Sequence, residues 1–382
     1  MNLLILVLGA AVVYVLQALL CRLLWRRSLR ASAGFSQGEA AQGDTVELVA
    51  MVENGKMLPL PTVKVDLAVD RGLVFLDQAN LAVSDQNYRS EIFALRGYER
   101  VERRIPVYCA QRGFYSVGQM DLVGNDLFYT QRFVHRQAVD SGSLYVCPGS
   151  SDSRQLLAAT QKLLGDWEVP RSDCDDPFTF RGIRQYEPFD SMRDINWKAT
   201  AKTGQLRVNV RAYTADQEIC ILLDTQWDAL LKPEELLEES VRIASSMAGE
   251  LIGAGVTTAI RSNGKDCLTG EIVSIAGGGD WRHFETIRRS LARLVIPRDR
   301  EADTFAGLLL RQLEEMKAAP NRKMSIVMIS TQTGAEIRRL WRELHQQSVR
   351  AYWILPAYSR ADVARELAEE PDALYWEVPR GK

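Results

Sequence analysis

From Met1 to Cys21 the chain carries no Asp, Glu, Lys, Arg or His, and from Leu3 to Leu20 only Gly9, Tyr14 and Gln17 interrupt its apolar run. At 1.5 Å per residue, about 20 residues cover the roughly 30 Å hydrocarbon core of a bilayer, so the expectation is a transmembrane helix. A cleaved signal peptide is the competing reading, because Ala31-Ser32-Ala33 imitates a cleavage site. Signal peptides, however, place positive charge before a shorter apolar stretch. Here Arg22, Arg26, Arg27 and Arg30 all follow the run. The positive-inside bias then leaves the N-terminus outside and the rest of the chain in the cytoplasm, with Trp25 as an aromatic anchor at the interface. Residues 1–30 form the anchor and its basic flank.

Charge excludes some partners. Lys and Arg total 47 against 49 Asp and Glu, a net charge of −2, which gives no bulk electrostatic case for nucleic acid. The six cysteines, at 21, 109, 147, 174, 220 and 267, form no C-x-x-C pair. Buried free thiols in a reducing compartment fit that scatter. His135, His283 and His345 are far apart and offer no zinc-type spacing.

Residues 34–150 alternate apolar and polar side chains in short runs, among them Val46–Val52 and Val63–Val69, separated by turn residues such as Glu53-Asn54-Gly55 and Asp70-Arg71-Gly72. That spacing predicts a small antiparallel β-sandwich. Arg112-Gly113-Phe114-Tyr115 and Asn125-Asp126-Leu127-Phe128 read as turns capped by Asn or Asp and packed by aromatics, with an interaction loop as the alternative. Ser153 to Leu164 reads as a short helix. Gly165 to Pro177 reads as an Asp- and Pro-rich linker.

From residue 216 the pattern becomes α/β. Ile219 to Leu223 is a continuous apolar run ending in Asp224, as in a strand buried on both faces. Helices are expected after Pro233, over Trp281–Val295, Asp303–Ala318 and Ala335–Gln347, and after the capping box at Ser359. Strands are expected at Met324–Ile329, Ala351–Leu355 and Leu374–Val378. Val256–Ile260 and Glu271–Ile275 read as a hairpin around the turn Ser262-Asn263-Gly264. Gly277-Gly278-Gly279-Asp280 reads as a connection with Asp280 as N-cap, since no P-loop pattern is present. The fold class is α/β, a doubly wound sheet over 216–382 preceded by the sandwich and one transmembrane helix.

Between these blocks, residues 151–215 hold the densest chemistry. Arg181, Arg184, Arg193, Arg207 and Arg211 alternate with Asp175, Asp176, Glu187, Asp190 and Asp194 around Tyr186 and Trp197. Two readings stay open. In one the segment is a structural ion-pair network with Trp197 as core anchor and Tyr186 beside it. In the other, Arg181, Arg184, Tyr186, Asp190, Arg193 and Trp197 form an exposed platform, because Arg, Tyr and Trp dominate binding hot spots. No nucleophile stands beside a base, so no catalytic constellation is present.

This segment resembles the bacterial domain-of-unknown-function family numbered fifty-eight. Arg181, Gly182, Arg184, Tyr186, Pro188, Asp190, Arg193, Ile195, Trp197, Ala201, Gly204 and Leu206 stand at matching spacing, with Phe189 where the family pattern has glycine and Thr200 where it has serine. The resemblance implies a following von Willebrand factor A-like domain. It also implies association with a MoxR-type AAA+ ATPase, for which such proteins look like membrane-anchored adaptors or scaffolds.

A doubly wound sheet binds ligands beyond the carboxyl ends of its strands, here the Asp224 and Ser330-Thr331 loops. Von Willebrand A domains hold Mg²⁺ there through D-x-S-x-S. In Asp224-Thr225-Gln226-Trp227-Asp228 both serines are replaced, by Gln226 and Asp228. A Mg²⁺ site through Asp224, Gln226 and Asp228 is therefore degenerate. A metal-dependent hydrolase using Asp224 and Asp228 is the alternative function.

Overall fold

A computed structural model describes residues 2–76, 81–83, 87–126, 128–138, 142–151, 154–165, 180–187, 192, 195–211, 217–227, 233–296, 304–318, 323–348, 350–359 and 372–379. The expected linker after Gly165, the helix after Ser359, and Cys174 lie outside them. The chain divides into two compact units, Met1–Gly149 and Ser150–Lys382.

The first unit opens with helix α1 (Asn2–Leu24). Its residues Leu6–Leu24 are long and apolar enough to cross a membrane. Twelve described strands come after it: β1 (Leu29–Phe35), β2 (Glu39–Ala41), β3 (Thr45–Asn54), β4 (Leu60–Val69), β5 (Leu73–Phe75), β6 (Leu81–Val83), β7 (Asn87–Leu95), β8 (Arg100–Cys109), β9 (Gly113–Tyr115), β10 (Gln119–Asn125), β11 (Arg132–Ala138) and β12 (Leu144–Cys147). Two sheets carry the orders β1-β3-β8-β5 and β11-β10-β4-β7-β6, with a small third sheet β2-β12-β9. Alternation decides the packing. Val46, Leu48, Ala50 and Val52 of β3 and Val63, Val65, Leu67 and Val69 of β4 turn into one shared core.

Two expectations are corrected at the start of this unit. Trp25 is not an interfacial anchor. It is 3% exposed, stacks on Phe133 at 5.6 Å between ring centroids, and lies where Gly124 leaves no room for a Cβ. The sandwich also begins before residue 34, because β1 pairs with β3 from Leu29↔Asn54 onward and buries Ala31 and Ala33. The Lys56 ammonium fastens this junction by donating to the carbonyls of Trp25 (2.8 Å) and Arg27 (3.0 Å). Burial pulls its pKa down to about 8. Cys109 is buried, and desolvation followed by nearby Asp44 raises its thiol to about 11. Cys267, expected inside, is exposed.

The second unit runs α2 (Arg154–Gly165), β13 (Phe180–Gln185), α3 (Trp197–Thr203), β14 (Arg207–Arg211), β15 (Gln217–Leu223), α4 (Glu234–Gly253), β16 (Thr257–Asp266), β17 (Ile272–Gly278), α5 (Trp281–Arg293), β18 (Leu294–Val295), α6 (Phe305–Ala318), β19 (Lys323–Ile329), α7 (Ala335–Gln347), β20 (Ala351–Ala357) and β21 (Ala373–Glu377). The main sheet has the order β17-β16-β15-β19-β20-β21. Its strands are parallel except for β17 and β18, both antiparallel to β16.

Strand β15 shows why the sheet is covered on both sides. Ile219, Ile221 and Leu223 join a core with α2, α4 and α5, while Cys220 and Leu222 join another with α6 and α7. All five are fully buried, so the uninterrupted apolar run reflects two helical layers. The α7 stripe Ile337, Leu340, Trp341 and Leu344 faces inward as its spacing predicts.

Two boundaries differ from expectation. Ser262-Asn263-Gly264 is not a turn but part of β16, whose register with β17 shifts between Arg261 and Lys265. The chain reverses at Asp266–Gly270 instead. There the Asp266 carboxylate accepts the N–H of Leu268, and Gly270 adopts φ 71°. Helix α5 stops at Arg293 because Leu294 and Val295 pair with Asp266 and Lys265. The Arg293 guanidinium holds Asp266 at 2.8 Å across that pairing. Asp280 caps α5 by accepting the His283 N–H at 2.7 Å, as its position implies.

Candidate functional site

In the main sheet β15 is followed in space by β16 on one side and β19 on the other, so the chain changes direction between β15 and β19. The carboxyl ends of strands at such a point diverge and leave a crevice. In this protein polar side chains close it. Asp224, 1% exposed, receives hydrogen bonds from both sides: Ser330 Oγ donates to Oδ2 (2.6 Å), while Asn263 Nδ2 (3.1 Å) and the Gln226 N–H (2.9 Å) donate to Oδ1. Asn263 in turn accepts the N–H and hydroxyl of Thr225 on its Oδ1, at 2.8 and 2.9 Å. Strand backbone adds the Asp224 N–H to the Ile329 carbonyl.

This donor set does not fit an octahedral Mg²⁺. Gln226 Oε1, one of the expected ligands, accepts the backbone N–H that opens α6 at Phe305 (2.8 Å) and lies 3.5 Å from Gln332 Nε2. Asn263 and Ser330 present donors, not lone pairs, to Asp224. Among the described residues no three His, Cys, Asp or Glu side chains gather as a metal site. Asp228 lies outside the described residues. The crevice joins strand ends rather than displaying them. Sequence reasoning missed Asn263 as a member, since Ser262-Asn263-Gly264 reads as a turn, and both Ser262 and Asn263 are buried.

The segment between 180 and 211 is a different construction. β13 and β14 form a two-stranded antiparallel ribbon, and α3 folds back between them. Short-range bonds hold the shape. Asn196 caps α3 by accepting the Ala199 N–H (2.8 Å), and Gly204 ends it at φ 68° with its N–H on the Thr200 carbonyl. The Thr200 hydroxyl accepts the Arg207 N–H at 3.0 Å and so fixes the start of β14. Ile195 and Val208 form an isolated bridge and are buried at 5% and 4%.

Trp197 is the main correction to the core-anchor reading. It opens a seven-residue helix in which no residue is buried, and it is 66% exposed. Among the described side chains of the segment, Ile195 and Val208 are the buried ones and take the anchoring role. Met192, Ile183 and Leu206 are exposed as well, at 68%, 41% and 40%. Tyr186 is half-buried and bonds through its backbone N–H to the Leu206 carbonyl. Arg184 is half-buried, with Nη1 on the Gln185 carbonyl at 3.2 Å. Arg181 lies on β13. Asp190 and Arg193, like Asp175, Asp176 and Asp194 of the expected ion-pair network, lie outside the described residues.

No family model matches the chain, and no curated protein matches it. Among solved structures, the CARDB domain of a Pyrococcus furiosus protein is similar at 13% identity over 29% of this chain and 91% of its own, with a TM-score of 0.19. A non-cellulosomal cohesin from Archaeoglobus fulgidus is similar at 12% identity over 32% of this chain and 94% of its own, TM-score 0.21. Likenesses of this size carry no argument about function.

Proposed function

We propose that the protein is a membrane-anchored, cytoplasmic adaptor that docks a partner on the β13-β14 ribbon, the partner being a MoxR-type AAA+ ATPase. The observation that carries the docking surface is Trp197, held at 66% exposure in a segment whose Ile183, Met192 and Leu206 are exposed as well. A large aromatic left in water costs solvation free energy that binding recovers, and such residues dominate contact energetics. The family resemblance of the same segment supports the identity of the partner. On this reading the main sheet is a von Willebrand A-like, doubly wound domain whose cation loop has become a structural network. The buried bonds of Asp224 favour that over the hydrolase alternative.

The anchor half of the proposal rests on α1 and on its junction with β1. Cleavage after Ala33 would remove Trp25, Leu29, Ala31 and Ala33 from the sandwich core, so a discarded leader fits this fold poorly. The test is capture of the purified ATPase by full-length protein in lipid nanodiscs. Trp197→Ala should lose capture at an unchanged melting temperature. Variants in which every loss of capture accompanies a loss of stability would leave the ribbon as architecture alone.

A further inference from the structure

The turns between β3 and β4, β7 and β8, and β10 and β11 lie at one end of the sandwich, the end where α1 enters β1: Leu29 is opposite Asn54, Glu53 opposite Arg100, Leu60 opposite Leu95, and Gly124 opposite Val63. These turns hold large apolar side chains in solvent. Met57 is 79% exposed, Tyr98 74%, Phe128 58% and Tyr129 62%. Two of the four adopt left-handed backbone, Tyr98 at φ 61° and Tyr129 at φ 58°. Bulky residues take that conformation at a cost.

The β10-β11 turn lies along the apolar helix. Tyr14 packs on Phe128 with ring centroids 6.0 Å apart, and its hydroxyl donates to Thr130 Oγ1 at 2.9 Å. The Thr130 hydroxyl donates in turn to Asp126 Oδ2 (2.6 Å), whose Oδ1 accepts the N–H groups of Thr130 (2.6 Å) and Gln131 (2.8 Å). The Tyr129 N–H bonds the Asp126 carbonyl. Four N–H groups of this turn, those of Asp126, Tyr129, Thr130 and Gln131, are thus bonded from within it. Around the same end, Arg22, Arg26, Arg27, Arg96, Arg100 and Arg132 are exposed, whereas Asp126 is buried and Glu99 is engaged by the Arg96 N–H at 2.6 Å. Aromatic and methionine tips within a ring of arginines complement an anionic lipid surface, where Tyr sits at headgroup level and each basic side chain adds attraction.

We infer that this end of the sandwich is a second membrane contact, its Met57 and Tyr98 tips seated in the headgroup layer of an anionic bilayer around the emerging helix and Phe128 reaching deeper beside Tyr14. The inference rests on the anchor reading of α1 and adds an orientation to it: the sandwich stands on the membrane instead of hanging from a free tether. The test uses the full-length chain in phosphatidylcholine–phosphatidylglycerol vesicles, in a Cys174→Ser, Cys267→Ser background. Single fluorophores are attached through Met57→Cys, Phe128→Cys, Val13→Cys in the helix, or Arg71→Cys in the turn at the opposite end. A headgroup spin label should quench position 57 and leave 71 bright, while a chain-centre label quenches positions 13 and 128. Quenching at 13 with 57 and 128 as bright as 71 would overturn the second contact and keep the anchor. Failure to quench 13 would overturn both. In phosphatidylcholine alone, quenching at 57 and 128 should weaken; unchanged quenching would overturn the anionic assignment.

Discussion

Trp25 and Trp197 exchange the roles their sequence settings suggest. Trp25 follows an apolar helix among arginines, the setting of an interfacial side chain, yet the sandwich encloses it between Phe133 and Gly124. Trp197 stands amid a dense polar pattern that one of two readings makes a core anchor, yet it is 66% exposed in a segment where Ile195 and Val208 are the buried residues among those described. The difference teaches that local pattern reports what a residue is able to do. Whether a neighbouring element covers it is decided at a distance.

The comparison breaks most sharply at Trp25. Trp25→Ala should cost about 3–5 kcal/mol, the range for removing a large buried aromatic. Urea denaturation of the full-length chain in detergent, followed by near-ultraviolet circular dichroism, would measure it. A loss below about 1 kcal/mol would mean that the junction is not core and that the contrast is false.

Next in size is Asp224→Ala. It strands the Ser330 hydroxyl, the Asn263 amide and the Gln226 N–H, each worth about 1 kcal/mol or more when left unpaired, so a loss of roughly 3 kcal/mol is expected. Calorimetric melting with and without Mg²⁺ checks it. A wild-type chain stabilised by stoichiometric Mg²⁺, with that effect gone in the variant, would restore the cation site.

A smaller effect belongs to the ribbon. Thr200→Val keeps the shape and removes the acceptor of the Arg207 N–H, a change of about 1 kcal/mol. Amide exchange at Arg207 should quicken while the main sheet stays protected. The smallest stability effect is expected at Trp197→Ala, within about 0.5 kcal/mol. The same change should weaken partner capture by about 30-fold, a hot-spot contribution near 2 kcal/mol. A melting-temperature loss as large as that of Trp25→Ala would remove the contrast between the two tryptophans.

Position along each strand was readable where one face repeats every second residue, as in β3 and β4, or where both faces are apolar, as in β15. Helix α7 was readable because its four inward residues recur at helical spacing. The end of β16 was not. Asn263 and Ser262 look like turn formers, and only distant partners make them strand residues, Asp224 and Thr225 for the Asn263 side chain and Leu223 of β15 in register with Ser262. Likewise α5 ends where Leu294 finds Asp266 on β16, a pairing with no trace in the local pattern. Asp224 itself was legible as a strand-end carboxylate; that its lone pairs face donors, not a cation's water shell, was not.

By itself, then, the sequence determined the elements that depend on short-range periodicity and charge: an apolar helix, alternating strands, amphipathic helices, and the cap at Asp280. Those features arise from backbone geometry and the separation of oil from water within a few residues. Tertiary structure decided which apolar side chains are covered, because burial depends on surfaces that meet from distant parts of the chain. It alone put Trp25 inside, left Trp197 in water, and turned the strand-end oxygens toward hydrogen-bond donors from neighbouring strand ends and a helix.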